Sequence, residues 1–151
     1  MALIDKVRPY FKGNEDASLF IDELFAIWHI WDDLIDKDKP LSDEAINKAF
    51  MSALINLPKN RFYQTYFLVL NPIMENAFIN WIGSNTLEKS KGDLAIAFDL
   101  RNSYVNIITA CAHIIGGPLW AQSIAIEAHK SLRNVESFQE YAAKLNIKES
   151  A

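Results

Sequence analysis

Cysteine is nearly absent from this 151-residue chain: Cys111 stands alone. A single thiol forms no intramolecular disulfide and builds no cysteine-based zinc site, so neither staple is available to the fold. Its neighbours Ile107, Ile108, Ala110, Ile114 and Ile115 are apolar, which points to a buried and unreactive thiol. Glycine and proline are scarce too, five of each, and sit as punctuation at Pro9, Gly13, Pro40, Pro58, Pro72, Gly83, Gly92 and the run Gly116-Gly117-Pro118. Between them no run of alternating polar and apolar residues is bounded by hairpin turns, so strands are not expected. No stretch reaches the roughly 20 uninterrupted apolar residues of a membrane span. Residues 1–9 contain Asp5, Lys6 and Arg8 and no apolar run, unlike a signal peptide. A soluble, cytoplasmic chain is the expectation. Lysine and arginine are scattered and the net charge is −4, which gives no strong nucleic-acid signal.

Apolar residues, by contrast, are plentiful. Half of the chain is hydrophobic, with four tryptophans and nine phenylalanines, enough to offset the entropy of ordering one domain. The spacing is helical. After an arm over residues 1–12, Asn14 or Asp16 caps a helix that runs to about Asp36, with Phe20, Leu24, Ile27, Trp28, Trp31, Leu34 and Ile35 on one face. Residues 37–40 turn. A second helix starts at Leu41 or Ser42 and stops before Pro58, because the residue preceding proline is pushed out of the helical region. A third carries Phe62 to Leu70 and kinks or restarts at Asn71-Pro72, then continues to Gly83. Polar residues 84–92 read as a loop. Next comes a helix over about 93–115, and from Asn102 to Ile126 there is no charged side chain, as expected at the centre of a bundle. Gly116-Gly117-Pro118 ends it and starts another helix. Ser137-Phe138-Gln139-Glu140 is a capping box for a terminal helix that frays over 147–151. The expectation is an all-α, single-domain bundle of five or six helices with a central uncharged helix near residues 93–115.

The most chemically distinctive stretch is Trp28-His29-Ile30-Trp31-Asp32-Asp33-Leu34-Ile35-Asp36. Asp32 and Asp36 lie one turn apart on the same side of a helix, with Asp33 beside them. Three carboxylates so close repel unless a cation neutralises them, and Mg²⁺ with its preference for oxygen suits them. The DDxxD pattern, with His29 and an apolar lead-in, resembles the first aspartate-rich motif of isoprenyl diphosphate synthases and related terpenoid synthases, which are all-helical. The resemblance covers about ten residues and implies that Asp32 and Asp36 hold Mg²⁺ ions bound in turn to a substrate diphosphate. It finds no second aspartate-rich motif downstream, and the chain also lacks the repeated Glu-x-x-Glu pattern of helical nucleotide pyrophosphatases. Asp22, His29, Asp33 and Asp36 also lie opposite the apolar stripe, which in a peripheral helix is simply the solvent face.

A second ribbon, Asp99, Asn102, Ser103, Asn106 and His113, runs along the uncharged helix. Polar groups buried at the centre of a bundle must be hydrogen-bonded. This ribbon is therefore expected to line a pocket with the acidic helix (His29 and the aspartates), or to pair with Glu75, Asn76 and Asn80. Arg101 falls towards the apolar side of its helix and needs a carboxylate partner. Two functions follow. The first is a non-catalytic helical-bundle binding or interaction protein, self-associating as a homo-oligomer or taking a small-molecule ligand. The alternative is a Mg²⁺-dependent enzyme acting on a diphosphate- or nucleotide-like small molecule, with Asp32, Asp33 and Asp36 as metal ligands and His29, Asp99, Asn102, Asn106 and His113 lining the pocket.

Overall fold

The computed structural model describes residues 1–132 and 138–150. Helices make up the fold, and no strand occurs among the described residues. The chain divides into two compact units, Met1–Phe67 and Leu68–Ala151.

In the first unit, α1 (Leu3–Val7) and a 3-10 turn (Pro9–Phe11) lead into α2 (Glu15–Asp36). Asn14 caps α2, its Oδ1 accepting from the Ala17 amide at 3.0 Å, and Glu15 and Asp16 in the first turn suit the helix dipole. Arg8 donates to both Asp5 and Glu15, and its hydrogen bond holds the Glu15 carboxyl below the usual carboxylate range. Phe20, Ile21, Leu24 and Trp28 are buried as the helical spacing requires, whereas Leu34 and Ile35 are exposed. The apolar face thus leaves the core over its last two turns, where the aspartates sit. Lys37 closes α2 in the left-handed region at φ 56°, and its amide donates to the Asp33 carbonyl.

Ser42 caps α3 (Asp43–Met51). The helix does not stop before Pro58. A π-helical turn (Ser52–Asn56) follows, closed by the Leu57 amide on the Ser52 carbonyl, and α4 (Leu57–Lys59) takes Pro58 in its first turn. A wider turn relieves the clash between a proline ring and the carbonyl four residues back. Asn60 then caps α5 (Arg61–Thr65) with its Oδ1, while its Nδ2 donates to the Asp16 carbonyl at 2.8 Å. One side chain so fixes the start of α5 against the start of α2, and Phe20 stacks on Tyr63 at 5.2 Å between them.

The second unit is built on α6 (Phe67–Lys89), α7 (Leu94–Arg101), α8 (Tyr104–Ser131) and α9 (Phe138–Ser150). Three expectations need correction. The break falls at Tyr66 (φ −113°, ψ 24°), and Pro72 lies inside α6 rather than at its start. Residues 84–89 are helix, not loop. Ser84 and Asn85 are buried, and Ser84 Oγ donates to the Trp81 carbonyl at 2.6 Å, so the serine's polarity is spent inside the helix, while Asn85 Oδ1 is buried without a hydrogen-bond partner. The helix ends in a Schellman motif: Lys91 is left-handed, Gly92 donates to Leu87, and Lys91 donates to Glu88. A Cβ on Gly92 would come within 2.7 Å of Leu87 Cδ2, the flexible end of that side chain, which would have to shift.

The third correction concerns the helix placed over 93–115. Asp93 caps α7, which ends at Arg101, and Asn102 and Ser103 form a turn before α8. Asn102 Nδ2 donates to the Phe98 carbonyl at 2.7 Å, satisfying the end of α7. The Gly116-Gly117-Pro118 signal is present in the backbone: Gly117 at φ 84°, ψ −180° interrupts α8, and Pro118 opens the second piece. The stretch Leu94–Ser131 has the length and composition of a candidate membrane span, with a mean hydropathy of 1.3 over its best window, one third of it buried. Each straight piece beside Gly117 rises only about 20 Å against a hydrocarbon core of about 30 Å. The capping box begins at Ser137, which lies outside the described residues. Helical backbone of α9 extends through Ser150.

Candidate functional site

The acidic cluster occupies the C-terminal end of α2. Asp32 and Asp33 are half-buried, while Asp36 and His29 are exposed. Lys39 reaches Asp33 Oδ2 at 3.8 Å across the turn and takes up part of the negative charge. A partly exposed pair at that distance contributes well under about 1 kcal/mol. Among the described residues no three His, Cys, Asp or Glu side chains gather as a set able to hold a metal ion. Mg²⁺ keeps several waters and takes one or two carboxylates; Asp32, Asp33 and Asp36 are the side chains that would hold it, with Asp33 also paired to Lys39.

The neutral ribbon belongs to the second unit and the turn at Asn102 and Ser103 splits it. Asp99 lies exposed on α7. Asn102 is buried and committed to Phe98. Asn106 and His113 are exposed on α8. Of the two partners expected for the ribbon, α6 supplies a bond: Asn80 Nδ2 donates to Ser103 Oγ at 2.9 Å and lies 3.4 Å from Asn76 Oδ1. This is a structural polar contact between helices, with its groups satisfied.

The best-organised polar group in the second unit was not found by sequence reasoning. Glu88 on α6 accepts on one oxygen, Oε1, from Arg101 Nη1 at 2.6 Å and from the Tyr141 hydroxyl at 2.5 Å. The Arg101 guanidinium also lies 5.5 Å from the Tyr141 ring centroid, and Phe98 packs on Tyr141 and Phe138 at 5.3 and 5.8 Å. Burial, together with the hydrogen bond and charge of Glu88, pushes the Tyr141 phenol up, while Arg101 pulls it down. A phenol held in its protonated form, donating to a carboxylate already neutralised by arginine, is a lock between α6, α7 and α9. It offers no free base or nucleophile. The need of Arg101 for a carboxylate was the available signal. The partner was missed because Glu88 fell in the segment expected to be a loop. Cys111 is fully buried, and desolvation pushes its thiol up, away from the reactive thiolate. Comparison of the chain with protein-family models, with curated proteins and with solved structures finds no match.

Proposed function

We propose that this chain is a non-catalytic helical-bundle protein that works by binding another protein through apolar helix faces. The observation that carries the reading is large apolar side chains turned to solvent in both units, among them Phe50, Met51 and Leu54 in the first and Leu68 and Leu119, 85% and 81% exposed, in the second. Scattered exposed leucines are ordinary, but contiguous ones on a helix face mark interaction sites. Its polar clusters support the same reading, since Glu88, Arg101, Tyr141, Asn80 and Ser103 satisfy one another.

The alternative, Mg²⁺ on Asp32, Asp33 and Asp36 with a diphosphate-bearing substrate, draws support from the partial burial of Asp32 and Asp33. The two readings separate on thermal unfolding in millimolar Mg²⁺ with and without pyrophosphate. A ligand held only by the folded chain at about 100 times its Kd adds about 2.7 kcal/mol and raises Tm by several degrees. The interaction reading expects no shift. A rise in Tm that Asp32→Asn/Asp36→Asn abolishes would overturn it in favour of the enzyme.

A further inference from the structure

The most continuous exposed apolar face in the first unit runs along α3 and the π turn. Phe50, Met51, Leu54 and Ile55 are 59%, 57%, 68% and 40% exposed. Behind the face, Ser52 in the π turn and Leu57 at the start of α4 are buried, while α3 itself has no fully buried residue. The face is bounded by acids at one end, Asp43 and Glu44 in the first turn of α3, and by Lys59 at the other end of the run. Lys48 stands between, with a stem long enough to cover apolar surface.

That order of charges is self-complementary under a twofold axis. Turn a second copy antiparallel about Met51, and Asp43 falls opposite Lys59, Asn47 opposite Ile55, and Met51 opposite itself. Each copy then supplies the same patch to the other, as an isologous contact requires. We infer that the α3–π-turn face is a homodimer interface whose occupant is a second copy of this chain, packed antiparallel about Met51. The inference rests on the interaction reading above and names its partner.

Area sets the expected strength. Four apolar side chains 40–68% exposed present on the order of 400 Å², the size of patch that marks an interaction site. Doubled across the axis and widened by the charged rim, the contact reaches about 1,000–1,200 Å², the low end for specific complexes. A dimer with a dissociation constant in the micromolar range fits that size. The π turn belongs to the same face: widening of the helix there carries Leu54 and Ile55 outward, away from the buried Ser52 and Leu57. The end charges also suit the dipole of the helix itself, so removing them is a poor test and exchanging them is the informative one.

Sedimentation velocity from micromolar to submillimolar concentration reads the equilibrium. Wild type is expected to pass from monomer to dimer, and Leu54→Asp to remain monomeric with an unchanged circular dichroism spectrum, since Leu54 is exposed. Asp43→Lys alone and Lys59→Glu alone each turn two symmetric attractions into repulsions and weaken the dimer by about tenfold. Asp43→Lys/Lys59→Glu restores it. Met51→Cys, on the axis, cross-links under mild oxidation, whereas Asn47→Cys does not. A chain that stays monomeric at submillimolar concentration overturns the inference, and so does one that binds phosphatidylcholine vesicles through this face in place of dimerising. A dimer indifferent to Leu54→Asp and to the charge exchange overturns it as well, but leaves the broader interaction reading standing. A Tm response to Mg²⁺ removes that broader reading instead.

Discussion

A carboxylate oxygen that accepts from both a guanidinium and a phenol pins three helices at one point. Glu88 does this with Arg101 and Tyr141, and its side chain is only 12% exposed. Truncating it leaves a mostly covered arginine without its anion, and uncompensated charges of this kind cost about 3–5 kcal/mol when fully buried. Because the Arg101 side chain retains 24% exposure, solvent relieves part of that. Glu88→Ala is therefore expected to lower stability by roughly 2–3 kcal/mol in urea denaturation. Tyr141→Phe removes one hydrogen bond and leaves the ion pair in place, for about 1 kcal/mol. A Glu88→Ala variant as stable as wild type would mean that the lock is ornamental. At this scale the sequence announced the need but not the partner. An arginine on the apolar side of its helix called for an acid, yet Asp99 is the acid nearest in sequence. Only the folded path of α6 brings Glu88 to it.

Glycine separates the elements read correctly from those misread. Gly117 and Gly83 both look like helix breakers in a sequence, and only one of them is. At φ 84° and ψ −180°, Gly117 occupies backbone territory essentially closed to other residues. Gly83 sits within α6, where a Cβ would meet only Leu100 Cδ1 at an ordinary 3.8 Å. Substitution thus has opposite signs at the two sites. Gly117→Ala is expected to cost about 1–3 kcal/mol, and Gly83→Ala to add about 0.5–1 kcal/mol through helix propensity. Guanidinium titrations of the two variants check both signs. Stabilisation at Gly83 would also verify directly that the residues following it are helical. The helix starts were legible to within a residue or two, Asn14 or Asp16 and Leu41 or Ser42, because a short polar side chain precedes a periodic run, and the structure selects Asn14 and Ser42. The π turn was not, because it breaks no rule of composition: residues 52–56 keep a helical apolar spacing, and Pro58 pointed to an end rather than to a widening.

Across the whole molecule, the all-α class was legible from what is missing: no alternation, no hairpin turns, and little glycine or proline. The candidate site was less legible, because a helical wheel tells which side chains share a face and not whether that face meets solvent. Asn106 and His113 share the polar side of α8 as expected, and that side is exposed. A stability property of the molecule follows from its buried acids. Cys111 and Tyr141 both have their protonated forms favoured by burial, so both folded pKa values are raised above those of the unfolded chain. In the unfolded state the thiol ionises near about pH 8.5 and the phenol near about pH 10. The unfolded chain then binds fewer protons than the folded one, and stability falls as pH rises. It is fully present below about pH 8.5. Above that each group removes up to about 1.4 kcal/mol per pH unit, so the loss steepens beyond about pH 10. Urea midpoints measured between neutrality and that range are expected to decline in two stages. Cys111→Ala delays the onset to the phenol range, and Tyr141→Phe removes the steeper second stage. A profile that stays flat through the thiol range in wild type would show that Cys111 reaches water in the folded chain, against its full burial.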